Sequence, residues 1–212
     1  YLRGTKSWGI KFKRKEHNPD SELSESCFDY SENPDDLPQY PEDITADKLV
    51  CFVDAAYAND PKRMRSTTGY AFTYSGGAIV YRSKAQSITA QSSTEAEFIA
   101  AVTAAKTARF LRSVLKELGI PQDDPTPIYK DNASTIEIVK AQKPTERSRH
   151  INIRFFAIQD WQHDTKDIIM KHIPGVINPV DDLTKPLGWV LHARHARYMM
   201  GHFNFGMKTP CC

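Results

Sequence analysis

From Lys48 onward, apolar and polar positions switch between a continuous or alternating pattern and a helical one. Leu49-Val50-Cys51-Phe52-Val53 is an unbroken apolar run that ends in Asp54, the pattern of a strand covered on both faces. Gly69-Tyr70-Ala71-Phe72-Thr73-Tyr74 and Ala78-Ile79-Val80-Tyr81 flank Ser75-Gly76-Gly77, which predicts a hairpin. A long helix follows. Ser92 with Glu95, and Thr94 with Glu97, both fit a capping box. Ile99, Val102, Leu111, Leu115 and Leu118 recur on one face, and Ala101, Ala104, Ala105 and Ala108 keep a neighbouring stripe small enough to lie close to a sheet. Gly119 and Pro121 stop the helix.

The remainder alternates. Pro127-Ile128-Tyr129-Lys130 is a short strand ending in Asp131, and a helix is expected over 133–141, broken by Pro144. A second helix is expected over 146–163 from Ile151, Phe155 and Ile158, then a strand over 168–173. Asn178-Pro179 predicts a last helix with a cap and a first-turn proline. The order βββαβααβα describes an α/β fold with a five-stranded mixed sheet, an antiparallel hairpin on one side and parallel strands on the other, flanked by helices.

Composition separates this region from what precedes it. The chain has 212 residues and a net charge of +2. Residues 1–15 carry six Lys or Arg and no acid, whereas residues 16–47 carry eleven acids and no Lys or Arg. The acidic stretch also holds Pro19, Pro34, Pro38 and Pro41, and reads as a solvated linker. Residues 48–212 hold 22 bases and 15 acids, a surplus open to two readings, an ordinary solvated surface or a polyanion-binding face. Cys27, Cys51, Cys211 and Cys212 have neither zinc-ribbon spacing nor the number for a disulfide scaffold, so a reducing compartment is expected. No apolar run approaches the ~20 residues that cross a bilayer, so no membrane partner is expected. The absence of a starting Met suggests a piece of something longer.

The acids fall at telling places. Asp54 and Asp131 end two strands, and in parallel neighbours both would sit at the same sheet edge, where open α/β sheets build their sites. Glu97 lies in the first turn of the long helix and Asp181 in that of the last. Each has a plain reading: a turn residue for Asp54, the partner of Thr94 for Glu97, a helix cap for Asp131, a first-turn acid for Asp181. Together they would repel one another unless cations sat between them, and an all-oxygen set suits Mg²⁺ or Mn²⁺. Two such ions ~3.5–4 Å apart clamp the attacking and leaving oxygens of phosphodiester hydrolysis.

Seven ordered blocks over about 48–188 resemble the ribonuclease H domain of Copia-type LTR retrotransposon Pol polyproteins. They are Phe52-Val53-Asp54-Ala55-Ala56-Tyr57-Ala58, Arg65-Ser66-Thr67-Thr68-Gly69-Tyr70, Ser83-Lys84-Ala85-Gln86, Ser93-Thr94-Glu95-Ala96-Glu97-Phe98-Ile99-Ala100, Tyr129-Lys130-Asp131-Asn132, Arg149-His150-Ile151-Asn152-Ile153-Arg154 and Asp181-Asp182-Leu183-Thr184-Lys185-Pro186-Leu187. Tyr1-Leu2-Arg3-Gly4-Thr5 is similar to the segment joining that domain to the upstream reverse transcriptase. The polymerase's own motifs do not occur here.

The resemblance implies a ribonuclease H-like fold and cleavage of the RNA strand of an RNA–DNA hybrid during synthesis of the element's DNA. It implies two Mg²⁺ or Mn²⁺ ions held by Asp54, Glu97, Asp131 and Asp181, and the upstream reverse transcriptase as a partner in the same polyprotein. It divides the chain into a connecting segment (1–15), the linker (16–47), the ribonuclease H-like domain (48–188) and a C-terminal helix and tail (189–212). It places the protein in the cytoplasm, in the element's virus-like particle, with a nuclear presence. Ser93, Thr94 and Asn132 are candidates for contacting RNA 2′-hydroxyls, and Arg65, Lys84, Arg149 and His150 for contacting the nucleic acid and its phosphates.

Some positions depart from the pattern. Ala56 stands where the family often has Asp, Tyr57 where it often has Trp, and Asp182 in a place usually apolar. Asp182 would either alter packing of the last helix or compete with Asp181. His172 is read as a structural histidine rather than the loop histidine of the family's wider relatives. The basic stretch 191–198 is either a second nucleic-acid contact or a helix packed on the sheet. A non-catalytic domain of the same fold is the alternative function. An integrase or exonuclease is disfavoured by the acid spacing and the lack of a Cys/His zinc element.

Overall fold

The computed structural model describes residues 40–41, 44–45, 47–141 and 152–201. Five strands, β1 (Val50–Ala56), β2 (Thr67–Tyr74), β3 (Gly77–Ala85), β4 (Thr126–Lys130) and β5 (Ile168–His172), form one sheet in the order β3-β2-β1-β4-β5. β1, β2 and β3 pair antiparallel, and β1, β4 and β5 pair parallel. This is the mixed five-stranded sheet of the ribonuclease H-like fold. The helices are α1 (Ser93–Glu117), α2 (Ala133–Lys140), α3 (Asn152–Gln159) and α4 (Trp189–Met199).

The sheet separates two cores. On one face α1 lays Ala101, Ala104, Ala105 and Ala108 against Cys51, Val53, Phe72 and Ile128, all fully buried. Alanine has no side chain to hold the helix off, so this 25-residue element lies close along the strands. On the other face Phe52 and Tyr129 stack at 5.5 Å, and Tyr198 of α4 meets Phe52 edge-on at 5.2 Å. Tyr40, ahead of β1, stacks on Tyr198 at 4.1 Å, so chain on both sides of the sheet region closes this core.

The ends of α1 follow their local chemistry. Ser92 Oγ accepts from Glu95 N (3.1 Å), and the Glu95 carboxylate accepts from Gln91 N (2.7 Å), which satisfies two amides at the helix start. Gly119 (φ +79°) ends the helix, with Ile120 N donating to Leu115 O and Gly119 N to Lys116 O in a Schellman arrangement. Leu118 caps that end and is 69% exposed, so it does not extend the apolar face as its spacing predicts.

Three further expectations are corrected. β1 does not end at Asp54 but runs on to Ala56, because β2 continues to pair with it through Ala56↔Thr67. Asn178-Pro179 opens no full helix: Pro179–Leu183 is a five-residue 3-10 turn, and Asn178 Nδ2 instead donates to Val53 O (3.4 Å). The last α-helix starts only at Trp189, after Pro186 and Gly188. In the expected 146–163 helix, Asn152–Gln159 is α-helical and Asp160–Asp164 widens into a π turn. Its first residues lie outside the described ones. Among the described residues no helix is long and apolar enough to cross a membrane.

Candidate metal centre

Register brings two acids together. β1 and β4 pair in parallel through Cys51↔Ile128 and Phe52↔Tyr129, and the same offset carried two residues on sets Asp54 beside Asp131. Both side chains follow the parity of Phe52 and Tyr129. Glu97 arrives from the opposite face, in the first turns of α1, next to the fully buried Ala96. One oxygen from each of Asp54, Glu97 and Asp131 lies within 4.8 Å of the others. Asp54 and Glu97 are buried, and Asp131 is partly exposed. Three carboxylates at this spacing repel one another, and a cation among them relieves that repulsion.

The fourth acid stands beside this set. Asp181 is buried in the 3-10 turn, outside the group of three but close enough that Asp54 and Asp131 raise its pKa. Burial is the main cause and carries it to about 6, against the ammonium of Lys185, whose Nζ is 2.8 Å from Asp181 Oδ2. Asp181 Oδ1 is buried with no hydrogen-bond partner among the described residues. Burial likewise lifts Glu97 to about 7, opposed by Lys130 and reinforced by Asp54 and Asp131. An orphaned buried oxygen and a strained all-oxygen donor set both fit a hard divalent cation.

The walls are tight. A Cβ at Gly69, the residue paired with Asp54, would lie 2.6 Å from Thr184 Cγ2, so only glycine lets the 3-10 turn rest on β2 here. That approach brings Thr184 Oγ1 to donate to Asp54 Oδ2. Gly175, in the turn after β5, also comes close to Asp131: a Cβ there would lie 3.1 Å from Asp131 Oδ2.

No family model matches the chain. Over 137 residues it is 40% identical to the retrovirus-related Pol polyprotein of transposon TNT 1-94 from Nicotiana tabacum, covering 65% of this chain and 10% of that one. Over 149 residues it is 30% identical to the Pol polyprotein of transposon RE2 from Arabidopsis thaliana, covering 70% and 10%. The chain is a homologue of the retrotransposon Pol polyproteins. It spans about a tenth of the length of these relatives. Among solved structures it resembles LC11 ribonuclease H1 from a compost metagenome, at TM-score 0.49 and 16% identity over 65% of this chain and 93% of that one. Ribonuclease H1 of Halobacterium salinarum NRC-1 gives 0.48 and 17% over 65% and 94%. The LC11 enzyme has also been solved in complex with an RNA/DNA hybrid. Strand order and register, rather than these overlaps, carry the ribonuclease H-like assignment.

The expected nucleic-acid contacts are spread around this homologue's carboxylate group. Ser93 is exposed and Thr94 half-buried at the start of α1. Asn132 follows Asp131 and caps α2, its Oδ1 accepting from Thr135 N (2.9 Å). Lys84 is exposed on the edge strand β3. Arg65 Nη1 donates to Gln86 O (3.1 Å), so it braces the β3 end as well as facing outward. Arg149 and His150 lie outside the described residues. His172 is exposed at the end of β5 and so is not a buried structural histidine. Asp182 turns to α4, with Oδ1 3.2 Å from His192 Nδ1, which leaves Asp181 to the site.

Three site residues escape a reading from spacing. Thr184 and Lys185 lie in the quoted Asp181–Leu187 block, and their contacts exist only once the turn is folded. Lys130 precedes Asp131, and strand alternation sends it to the other face, where its fully buried Nζ meets Glu97 Oε2 at 2.5 Å. A cavity of about 810 Å³ lies beside β5 and α2, and none of the four acids lines it. Of the four acids only Asp131 is partly exposed.

Proposed function

We propose that this chain is a ribonuclease H, hydrolysing the RNA strand of RNA–DNA hybrids with Mg²⁺ or Mn²⁺. The convergence of Asp54, Glu97 and Asp131 within 4.8 Å at one sheet edge supports this reading above all else. The ions would be held by these three carboxylates and Asp181, two ions in all. When bound, they activate water and stabilise the leaving 3′ oxygen of the phosphodiester.

The chain's own residues set the geometry. Adjacent strands hold Asp54 and Asp131 rigidly, Thr184 fixes the Asp54 carboxylate by donating to it, and Gly69 and Gly175 let backbone close in around both. Ser93, Thr94 and Asn132 would contact RNA 2′-hydroxyls, Arg65, Lys84 and Arg149 would hold phosphates, and His150 would touch the nucleic acid. Cleavage would leave a 3′-hydroxyl and a 5′-phosphate. The reverse transcriptase portion of the same polyprotein would present the hybrid.

A labelled RNA–DNA hybrid, duplex DNA and single strands, incubated side by side with Mg²⁺ or Mn²⁺, test the proposal. Metal-dependent loss of RNA from the hybrid alone is expected, and Asp131→Asn should abolish it. Cleavage that survives Asp131→Asn, or that consumes duplex DNA equally, would overturn the reading.

A further inference from the structure

Lys130 is the unusual residue of this site. Ile128 and Lys130 of β4 point to the face that carries α1, whereas Tyr129 and Asp131 point to the other. The Lys130 side chain is completely buried, in contact with the aliphatic core rather than with water. Lysine is almost never found so placed unless its charge is answered. Its answer is Glu97, at 2.5 Å, a member of the carboxylate group that fits a divalent cation.

We propose that Lys130 is a built-in cation of the site, its ammonium occupying the Glu97 corner so that a divalent ion gains that corner only by displacing it. This rests on the divalent-cation reading above. Covalent tethering and burial keep the ammonium from diffusing away or turning to solvent. If Glu97 left it for a metal ion, Lys130 would be a buried unpaired charge, which is strongly disfavoured. An incoming divalent ion would also feel its repulsion at close range. Asp54, Asp131 and the orphaned Asp181 oxygen, free of this lysine, form the readier half of the site. The consequence is unequal occupancy: one ion held readily at the strand-borne acids, and weak binding at Glu97. Lys185 does not play this part, because its side chain is 46% exposed and can swing away from Asp181.

The test counts Mn²⁺ bound to the full chain by electron paramagnetic resonance and follows its melting temperature in EDTA and in Mn²⁺. Wild type is expected to bind one ion per chain at low Mn²⁺ concentration. Lys130→Met should raise the affinity about tenfold or more, bring the count to two, lower the melting temperature in EDTA and enlarge the rise on adding Mn²⁺. Lys130→Gln keeps a hydrogen-bonding group near Glu97 without the charge, so it decides the matter if the methionine variant does not fold. Adding Glu97→Gln to Lys130→Gln should cancel the gain. Equal affinity and equal count in wild type and both Lys130 variants, with binding abolished by Asp54→Asn, would overturn the Lys130 proposal alone. No Mn²⁺ binding by any variant would overturn it together with the cation reading.

Discussion

Asp54, Glu97 and Asp131, and Asp181 beside them, are positioned in two different ways. Asp54 lies on β1 and Asp131 just past the end of its parallel neighbour β4, and the strand register carried two residues on sets them side by side. Glu97 and Asp181 come from the start of a helix and from a five-residue turn, where packing sets it. Each of the second pair is held by a lysine, Lys130 or Lys185, and burial lifts both acids out of the usual carboxylate range. The backbone thus supplies a rigid half, and side-chain charge balances an adjustable half.

The sharpest test of that division is to neutralise an acid of the rigid half. Asp54→Asn removes a charge from the rigid half and leaves Thr184 its acceptor, so the fold should survive. Hybrid cleavage should fall by at least the order of 10²–10³ seen when a preorganised electrostatic group is lost. Single-turnover rates beside circular dichroism spectra would show a loss of rate without loss of fold. Equal rates for wild type and variant would remove Asp54 from the site.

Gly69→Ala attacks the junction between the halves. The added Cβ would meet Thr184 Cγ2 at 2.6 Å and Val180 O at 3.3 Å, pushing the turn that carries Asp181 away from the strand that carries Asp54. Such overpacking costs about 1–3 kcal/mol. Urea denaturation should give that loss, and Mn²⁺ binding should weaken with it. Unchanged stability would mean that the turn moves freely over β2.

The rigid half was legible from residues alone and the adjustable half only in outline. A parallel neighbouring strand puts Asp54 beside Asp131 even though β1 runs on past Asp54 to Ala56, because the offset between the strands is the same all along them. The Ser92 cap also follows from short-range pattern, and it assigns Glu95 to the cap and Glu97 to the site. Thr184 on Asp54 and Asn178 on Val53 span 130 and 125 residues, and no local pattern encodes such contacts. The Asn178-Pro179 signal is a true helix-start chemistry, but Pro186 and Gly188 follow too soon for more than a 3-10 turn. Lys130 stood in a quoted block, yet its meaning depends on which face of the sheet meets α1. Leu118 kept the helical period, but the Schellman turn at Gly119 leaves it outside the core.

Acidity should separate the two halves without any mutation. Glu97 has a folded pKa of about 7, above its ordinary 4.5, and Asp181 about 6, above 3.8. Acids raised on folding contribute stability that is present at low pH and lost as pH rises through the folded value. The metal-free protein should therefore gain stability as pH falls from about 7 toward 4.5, chiefly through Glu97 and, below about 6, through Asp181 as well. Over the same range His195, lowered to about 4 by burial and then by its charged neighbours, must stay neutral when its unfolded form would charge, so it offsets part of that gain. Melting temperatures in EDTA should rise as pH falls, less steeply than the two acids alone would give. Glu97→Gln should flatten the upper part of that curve, and a curve that stays steep in the variant would assign the rise elsewhere.

The smallest effect is expected where the comparison predicts an asymmetry between the two lysines. Lys185 pairs with Asp181 at 2.8 Å, a shade longer than Lys130 with Glu97, yet half of its side chain remains in water. An ion pair so exposed contributes at most about 1 kcal/mol, since solvent screens the attraction and ordering the side chain costs entropy. Lys185→Met should therefore leave the denaturation midpoint nearly unchanged, and the Mn²⁺ count should stay as in wild type. If instead Lys185→Met destabilised the chain as much as Lys130→Met, burial would not be what distinguishes the two cations, and both would have to be counted as fixed charges of the site.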